Sequence, residues 1–298
     1  MAFSHVITGA TEASAPLEIR KIGIADLKDA LRHGLDDFLA MPTHAVFLCL
    51  IYPIVALVLA RLTLGYDVLP LLYPLAAGFA LVGPLAAIGF YELSRQREQG
   101  HEVSWRDAFD VFHSPSIGAI AALGVLLMIV FAVWIAVAQA IYVATFGYVP
   151  AASIPDFFKR VLTTPEGWTL IVLGNGIGFL FAALVLAVSV VSFPLLLDRD
   201  VGAAAAILTS VRAVLANPLP MALWGLIVAA LLVIGMLPFF VGLAIVLPVL
   251  GHATWYLYRR VVEPPATVAA PVPRPAPHGR RYAAQFPASL FARERDPS

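Results

Sequence analysis

The stretch from Leu219 to Tyr258 contains no Asp, Glu, Lys or Arg. Its forty residues are about twice the length that one helix needs to cross the hydrocarbon core of a bilayer. A segment in lipid must satisfy its backbone hydrogen bonds internally, which a helix does within itself. This stretch therefore predicts two consecutive membrane-spanning helices, and with them an all-α protein.

The composition agrees with a membrane protein. Hydrophobic residues make up 60% of the 298 residues and charged residues 13%, which lies outside the range of soluble globular domains. The 19 basic residues balance the 19 acidic ones, so no basic excess points to nucleic acid. The single cysteine, Cys49, lies in an apolar run, which excludes an intrachain disulfide and a thiolate metal cluster.

Six apolar runs predict a polytopic membrane helix bundle, with six transmembrane helices arranged in three hairpins. The predicted spans cover residues 44–62, 69–93, 117–146, 168–197, 219–236 and 239–258. We expect residues 22–262 to form one integral membrane domain. Residues 1–21 are predicted to be a disordered N-terminus, and residues 263–298 a disordered tail rich in Pro and Arg.

Short amphipathic helices are predicted on the inner face of the bundle. From Ile24 to Phe38, apolar residues recur at helical spacing, and the charged residues, including Asp36 and Asp37, occupy the other faces. This helix is too charged to span. We expect it at the membrane surface or against the bundle, and an ordinary cytoplasmic helix that packs on loops is an equal alternative.

Two further short helices are predicted between spans. The run from Ser104 to Asp107 resembles a capping box and predicts a helix that ends at Pro115. An Ala-rich amphipathic helix is predicted to end at Asn217 and Pro218. Residues 147–167 are predicted to be a polar connection between the third and fourth spans.

The same order of elements occurs three times along the chain. Each unit has a short amphipathic helix, a proline (Pro42, Pro115 or Pro218), a span, a loop and a second span. This pattern is either a true internal repeat or, in part, a product of similar apolar composition. If it is a repeat, all three units have the same orientation, because each contains two spans.

The distribution of basic residues predicts the topology. Sixteen of the 19 Lys and Arg fall on the side that holds both chain ends, and Arg61, Lys159 and Arg160 fall on the other side. Cytoplasmic loops carry an excess of Lys and Arg. We therefore expect both the N-terminus and the C-terminus to be cytoplasmic.

Several stretches carry a resemblance to a known family. They are residues 20–22 and 34–38, the Tyr52-Pro53 step, the run from Gly83 to Arg95, and residues 105–108 and 210–213. Over about residues 20–262 the chain resembles a bacterial family of predicted integral membrane proteins, domain-of-unknown-function family 2189. The resemblance implies a multi-pass protein of the bacterial inner membrane. The family has no established activity, so the resemblance transfers no catalytic residue.

The histidines argue against a catalytic oxidase, a label sometimes loosely attached to members of this family. A haem-copper centre needs several histidines inside the membrane. Of the seven histidines, His252 alone lies well inside a predicted span, and His44 lies at the end of one. No phosphate-binding loop or catalytic triad order appears either. We therefore expect no metal, no cofactor and no enzymatic activity.

Polar residues inside lipid are costly, so each one is a candidate functional residue. Glu92, Gln139, Asn175 and His252 form the candidate intramembrane polar site. Interhelical hydrogen bonding is the ordinary interpretation for Gln139 and Asn175. His252 and Glu92 are either a proton-accepting pair or, more ordinarily, His252 is neutral and bonded to a backbone carbonyl.

Three functions remain open from the sequence. The first is a non-enzymatic scaffold, or a membrane protein that binds lipids or partners. The second is a small transporter or channel with a polar path near Asn175, Gln139 and His252. The third is an accessory subunit of a respiratory or other membrane complex. Membrane lipids and membrane proteins are the expected partners, and nucleic acid is not. A polar cavity favours transport, and a dry, packed centre favours a scaffold.

Overall fold

The computed structural model describes residues 17–41, 72–148, 153–238 and 241–263. Within these ranges the secondary structure is helical, as predicted, with one isolated β-bridge and no strand. The predicted first span, residues 44–62, lies outside the described residues. The described helices are α1 (Ile24–Ala40), α2 (Leu72–Ala86), α3 (Ile88–Glu98), a 3-10 helix (Trp105–His113), α4 (Ile117–Phe146), α5 (Ile154–Thr163), α6 (Pro165–Ser189), α7 (Ser192–Asp198), α8 (Ala203–Ala216), α9 (Pro218–Met236) and α10 (Leu243–Val261).

Three of the described helical segments are long and apolar enough to cross a membrane. They are Ile117–Phe146, Pro165–Asp198 and Pro218–Met236, which correspond to the predicted third, fourth and fifth spans. The predicted second and sixth spans coincide with α2 and α10, which are not among the three. The chain therefore has the apolar helices of an integral membrane protein, and the number of six spans stays a prediction.

The predicted second span is two helices rather than one. Pro84 lies inside α2, and the helix is interrupted at Ala87 before α3 begins. Proline lacks an amide hydrogen, and its ring clashes with the carbonyl four residues earlier, so a helix breaks or kinks near it. The interruption lets α3 carry its polar residues away from the apolar α2.

Short helices and helix ends pack together in what we call the packed layer, formed by α1, α3, the 3-10 helix, α7, α8 and residues 250–261 of α10. The N-terminal ends of α4 and α9 and the C-terminal end of α6 meet this layer. Phe193, Trp224, Trp255 and Tyr258 are the largest aromatic side chains buried there, each less than 2% exposed. The packed layer thus has a core like that of a soluble domain.

The remaining parts of the long helices form what we call the exposed layer, defined as residues 125–146 of α4, 168–184 of α6 and 226–236 of α9. Large apolar side chains point outward there, among them Ile129, Phe179, Leu226 and Val233. A large exposed apolar surface marks contact with a membrane or a partner. This surface fits helices that lie in lipid.

The amphipathic helix α1 packs along α10, which settles one of the alternatives left open by the sequence. Gly34 is the point of closest approach, because a Cβ placed there would lie 2.6 Å from the backbone nitrogen of Ala253. Leu27 and Ala30 are 1% exposed. The helix therefore lies against the bundle, and protein covers Leu27, Ala30, Gly34 and Phe38, whereas Ile24 and Leu35 stay exposed.

The two ends of the described chain are held together. The amide of Arg20 donates to the carbonyl of Val261 at 2.8 Å, and the Arg20 guanidinium pairs with Glu263 at 2.9 Å. Asn217 adds a second connection, since its side chain accepts from the amide of Ile22 and donates to the carbonyl of Arg20. Ordered pairing therefore begins a few residues before the predicted domain boundary at residue 22.

The polar connection predicted for residues 147–167 contains a helix, α5, that the sequence analysis does not predict. The Ser153 side chain accepts from the amide of Asp156 and caps the helix, and Pro155 lies in the first turn. Proline is tolerated in the first turn, since the amide hydrogens there have no partner within the helix. Thr164 then caps α6 in the same way through the amide of Gly167.

Candidate functional site

Asp37, Ser94, His252 and Tyr256 form a buried polar cluster in the packed layer. Asp37 comes from α1, Ser94 from α3, and His252 and Tyr256 from α10. Ser94 Oγ lies 2.7 Å from Asp37 Oδ2 and 2.8 Å from His252 Nδ1. The Tyr256 hydroxyl donates to Asp37 Oδ2 at 3.0 Å. The cluster thus joins three helices that are far apart in the sequence.

The hydrogen bonds indicate which tautomer His252 adopts. Asp37 is an acceptor when ionised, so Ser94 uses its one hydroxyl hydrogen on the carboxylate. Ser94 Oγ then accepts from His252 Nδ1–H, which leaves Nε2 as an acceptor. Among the described residues Nε2 has no hydrogen-bond partner. The Phe90 ring meets the imidazole edge-on, with the ring centroids 5.4 Å apart.

Asp37 lies in an environment that disfavours its charge. Burial raises the pKa of the Asp37 carboxyl, and the hydrogen bond from Ser94 and the charge of Arg97 partly offset this effect. Arg97 Nη1 lies 3.2 Å from Asp37 Oδ1. The carboxylate therefore keeps a cationic partner at the edge of the cluster, where the Arg97 side chain is 37% exposed.

Glu92 has different partners from the predicted pair with His252. Its side chain is 1% exposed and accepts from Arg95 at 2.7 Å and 2.9 Å and from Gln96 at 2.9 Å. These residues lie three and four positions later on the same helix, α3. The predicted proton-accepting pair is therefore replaced by an ion pair within one helix and a separate cluster around His252.

A second polar network surrounds the last turn of α10. Glu98 accepts from Trp255 Nε1 and from Arg259 Nε, both at 3.0 Å. Asp198 accepts from the Tyr258 hydroxyl at 2.6 Å and lies 3.5 Å from Arg259 Nη1. Although burial acts to lower the pKa of Arg259, the carboxylates of Glu98 and Asp198 raise it above its usual value. The network ties α10 to α3 and α7.

Asn175 and Gln139 lie apart from these clusters. Both are exposed, Asn175 on α6 and Gln139 on α4, within the exposed layer. Asn175 accepts from the Tyr73 hydroxyl at 2.6 Å and donates to the carbonyl of Ile171 at 2.7 Å. The ordinary interpretation, hydrogen bonding between helices, thus describes Asn175. The four candidate residues do not converge on one site.

The geometry of the cluster suits helix packing better than catalysis. A serine nucleophile needs a base that takes its proton, whereas Ser94 donates to Asp37 and accepts from His252. Ser94 and His252 are 0% exposed and Asp37 is 3% exposed, so a substrate has no access to them. The described residues contain no group of His, Cys, Asp and Glu that fits a metal ion.

Sequence reasoning missed Asp37, Ser94 and Tyr256 as cluster members. Asp37 was assigned to a polar face of α1, but the structure buries it. One signal was available, since Leu27, Ala30, Gly34 and Asp37 follow one another at helical spacing on the buried face. No sequence signal links this face to Ser94, because that contact crosses 57 positions.

Comparison with known proteins agrees with the apolar helices. Residues 72–198 match the family model of DUF2189, described as a predicted integral membrane protein. The family resemblance predicted from the sequence is thereby confirmed for the residues from α2 to α7. These residues include two of the three candidate spans. No curated protein and no solved structure matches the chain. This match and the apolar helices make the protein an integral membrane protein, and the comparison assigns it no activity.

Proposed function

We propose that the protein is a non-enzymatic scaffold of the bacterial inner membrane that binds lipids or protein partners. The observation that carries this proposal is the separation of the candidate polar residues. Glu92 and His252 are buried in the packed layer, whereas Gln139 and Asn175 lie on exposed faces of α4 and α6. A transport path needs such groups along one cavity. A packed centre instead supports a structural role.

Six spans in three hairpins, with both termini cytoplasmic, belong to the same proposal. The positions of the helix ends support it, because α4 and α9 start at the packed layer and α6 and α10 end there. The basic residues support it as well. Most of the described Lys and Arg lie on the side of the packed layer, whereas Lys159 and Arg160 lie on α5 beyond the opposite end of α4. This asymmetry fits a cytoplasmic packed layer.

Lipid contact is supported by the surface of α6. One face of this helix carries an open apolar patch formed by Trp168, Thr169, Val172, Leu173, Gly176 and Ile177. An exposed apolar patch on a candidate span suits contact with acyl chains. One scaffold can bind lipid through the exposed layer and a protein partner through the packed layer.

The test is purification of the full-length protein in mild detergent, followed by mass spectrometry of bound lipids and proteins. We expect lipids or a non-respiratory partner to remain bound. Stoichiometric respiratory subunits would instead identify an accessory subunit and overturn the scaffold.

A second arm distinguishes the scaffold from a transporter. The wild type and a variant with Asn175→Ala and Gln139→Ala are reconstituted in liposomes with dyes that report pH and membrane potential. If the protein is a scaffold, we expect no flux of protons or other ions through either protein. We also expect the same bound lipids and proteins in both. Flux in the wild type that is lost in the variant would show a transport path.

A further inference from the structure

The 3-10 helix Trp105–His113 presents different residues along its three sides. With about three residues per turn, side chains three positions apart line up along one ridge. Ala108 and Val111 share one ridge and are buried, with Ala108 close to Gly89 of α3. Phe109 and Phe112 share the next ridge and are exposed. The helix is thus fixed to the packed layer along one side and free along another.

Phe109 and Phe112 contact each other on the exposed side, and Trp105, which lies on the ridge of Ala108 and Val111, contacts Phe109 from beside it. We call Phe109 and Phe112, together with the Trp105 ring, the aromatic ridge. The ring centroids of Trp105 and Phe109 are 6.2 Å apart, and those of Phe109 and Phe112 are 6.4 Å apart. Phe112 is 68% exposed. Contiguous exposed aromatic surface of this kind is typical of an interaction site.

The aromatic ridge lies just before a candidate membrane span in the sequence. Candidate span α4 begins at Ile117, only four residues after His113. At about 1.5 Å per residue, the 30 residues of α4 are roughly 45 Å long. This length is about the full thickness of a bilayer with its headgroup regions. The 3-10 helix, which precedes the start of α4, therefore lies at the water-facing edge of the headgroup region.

The charges around the aromatic ridge favour a phosphate-bearing surface. Arg106 lies three positions before Phe109, and its guanidinium carbon is 5.5 Å from the centroid of the Trp105 ring. The two carboxylates of the helix already have donors. Asp107 accepts from the amide of Ser104, and Asp110 accepts from Gln96. A cation beside exposed aromatic rings suits the interface between lipid and water.

We propose that the aromatic ridge and Arg106 insert into the headgroup region of the same bilayer that α4 crosses, with an anionic phospholipid beside Arg106. The 3-10 helix is then an in-plane anchor that holds the packed layer against the membrane. This inference depends on α4 crossing a bilayer and not on the scaffold proposal. A transporter or an accessory subunit would carry the same anchor.

The test is the depth of spin labels on the full-length protein. In a Cys49→Ser background, Phe112→Cys and Phe109→Cys place labels on the aromatic ridge, and Asp110→Cys places a matched label on the polar side of the same helix. The proteins are reconstituted in nanodiscs of phosphatidylcholine, with or without phosphatidylglycerol. Collisions with oxygen report lipid, and collisions with a water-soluble nickel complex report solvent.

We expect the labels at 109 and 112 to show a severalfold higher ratio of oxygen to nickel collisions than the label at 110. Equal, solvent-like ratios at all three positions would overturn the anchor. Labels at 109 and 112 shielded from both reagents would also overturn it, because they would show a protein contact. Arg106→Gln should move the label at 112 toward water in nanodiscs with phosphatidylglycerol. No change would overturn the role given to Arg106.

Discussion

The packed layer and the exposed layer both contain many Leu, Val and Ala side chains, but these side chains have different surroundings in the two layers. In the packed layer, Leu257 is 1% exposed and touches protein on all sides. In the exposed layer, Leu226 is 65% exposed, although its helix α9 is more apolar than α10, the helix of Leu257. The difference teaches that hydrophobicity alone does not locate the core of this chain. Polar partners and close helix contacts do.

The two layers also treat polar groups differently. Buried carboxylates of the packed layer, such as Glu92 and Asp37, have cationic or hydroxyl partners from their own or neighbouring helices. Asn175, in the exposed layer, uses a backbone carbonyl and one tyrosine. Mutations should therefore act through buried charge and cavities in the packed layer, and through lipid contact in the exposed layer.

The largest effect is expected at the ion pair of α3. Arg95→Ala should lower the free energy of unfolding by about 4 kcal/mol, because it leaves the buried Glu92 carboxylate without its cation. Reversible unfolding in mixed detergent micelles measures this loss. Adding Glu92→Gln should restore most of the stability. If Arg95→Ala alone were as stable as the wild type, the packed layer would tolerate an unpaired buried charge.

The next prediction compares a Leu→Ala substitution in the packed layer with one in the exposed layer. Leu257→Ala should lower the free energy of unfolding by about 3 kcal/mol, since it leaves a cavity in the packed layer. Leu226→Ala is the matched control, and acyl chains should fill the space that it opens. The same unfolding assay in lipid-containing micelles checks both variants. Equal losses would mean that Leu226 is covered by protein rather than lipid.

A smaller effect is expected where α1 approaches α10. Gly34→Ala should cost about 2 kcal/mol, because the added methyl group meets the backbone of Ala253 and Val249 and forces the helices apart. Gly174→Ala, with open space around its position, should be neutral or slightly stabilising. Thermal unfolding followed by circular dichroism compares the two. A neutral Gly34→Ala would contradict the close packing of α1.

The smallest effect is a pH dependence at Asp37. Because burial raises its pKa in the folded state, its contribution to stability is present below the unfolded pKa of 3.8 and is lost as pH rises through the folded pKa. Wild type should therefore lose stability relative to Asp37→Asn as pH rises across this window. The exposed neighbour Asp36, as Asp36→Asn, is the control. If the difference in unfolding free energy between the wild type and Asp37→Asn did not change with pH, the raised pKa of Asp37 would be contradicted.

Local patterns predicted much of the fold. The bounds of α4 and α9 and the capping box at Ser104 follow from apolar run length and from spacing, which are properties of neighbouring residues. The helix α5 was not predicted, because residues 147–167, which contain Pro150, Pro155 and Pro165, indicate only a polar connection. Pro155 and Pro165 instead lie in first turns, where a capping Ser or Thr precedes them.

The candidate site was less predictable than the fold. Glu92 was a candidate site residue from the sequence, and the i,i+3 spacing to Arg95 already indicated its partner. The partners of His252 are Asp37 of α1 and Ser94 of α3, which lie 215 and 158 positions earlier in the sequence. Contacts of this range depend on how the helices assemble, and the sequence of one segment contains no record of them.

The contact between α1 and α10 has a consequence for biosynthesis. The Asp37 carboxylate meets Tyr256, which is synthesised 219 residues later. At about 5 to 20 residues per second, roughly 10 to 45 seconds separate the two on the ribosome. During this interval the apolar side of α1 has no α10 to cover it. The contact between α1 and α10 can thus form only near the end of synthesis, and a chain that stops before α10 would leave Leu27, Ala30 and Gly34 of α1 uncovered.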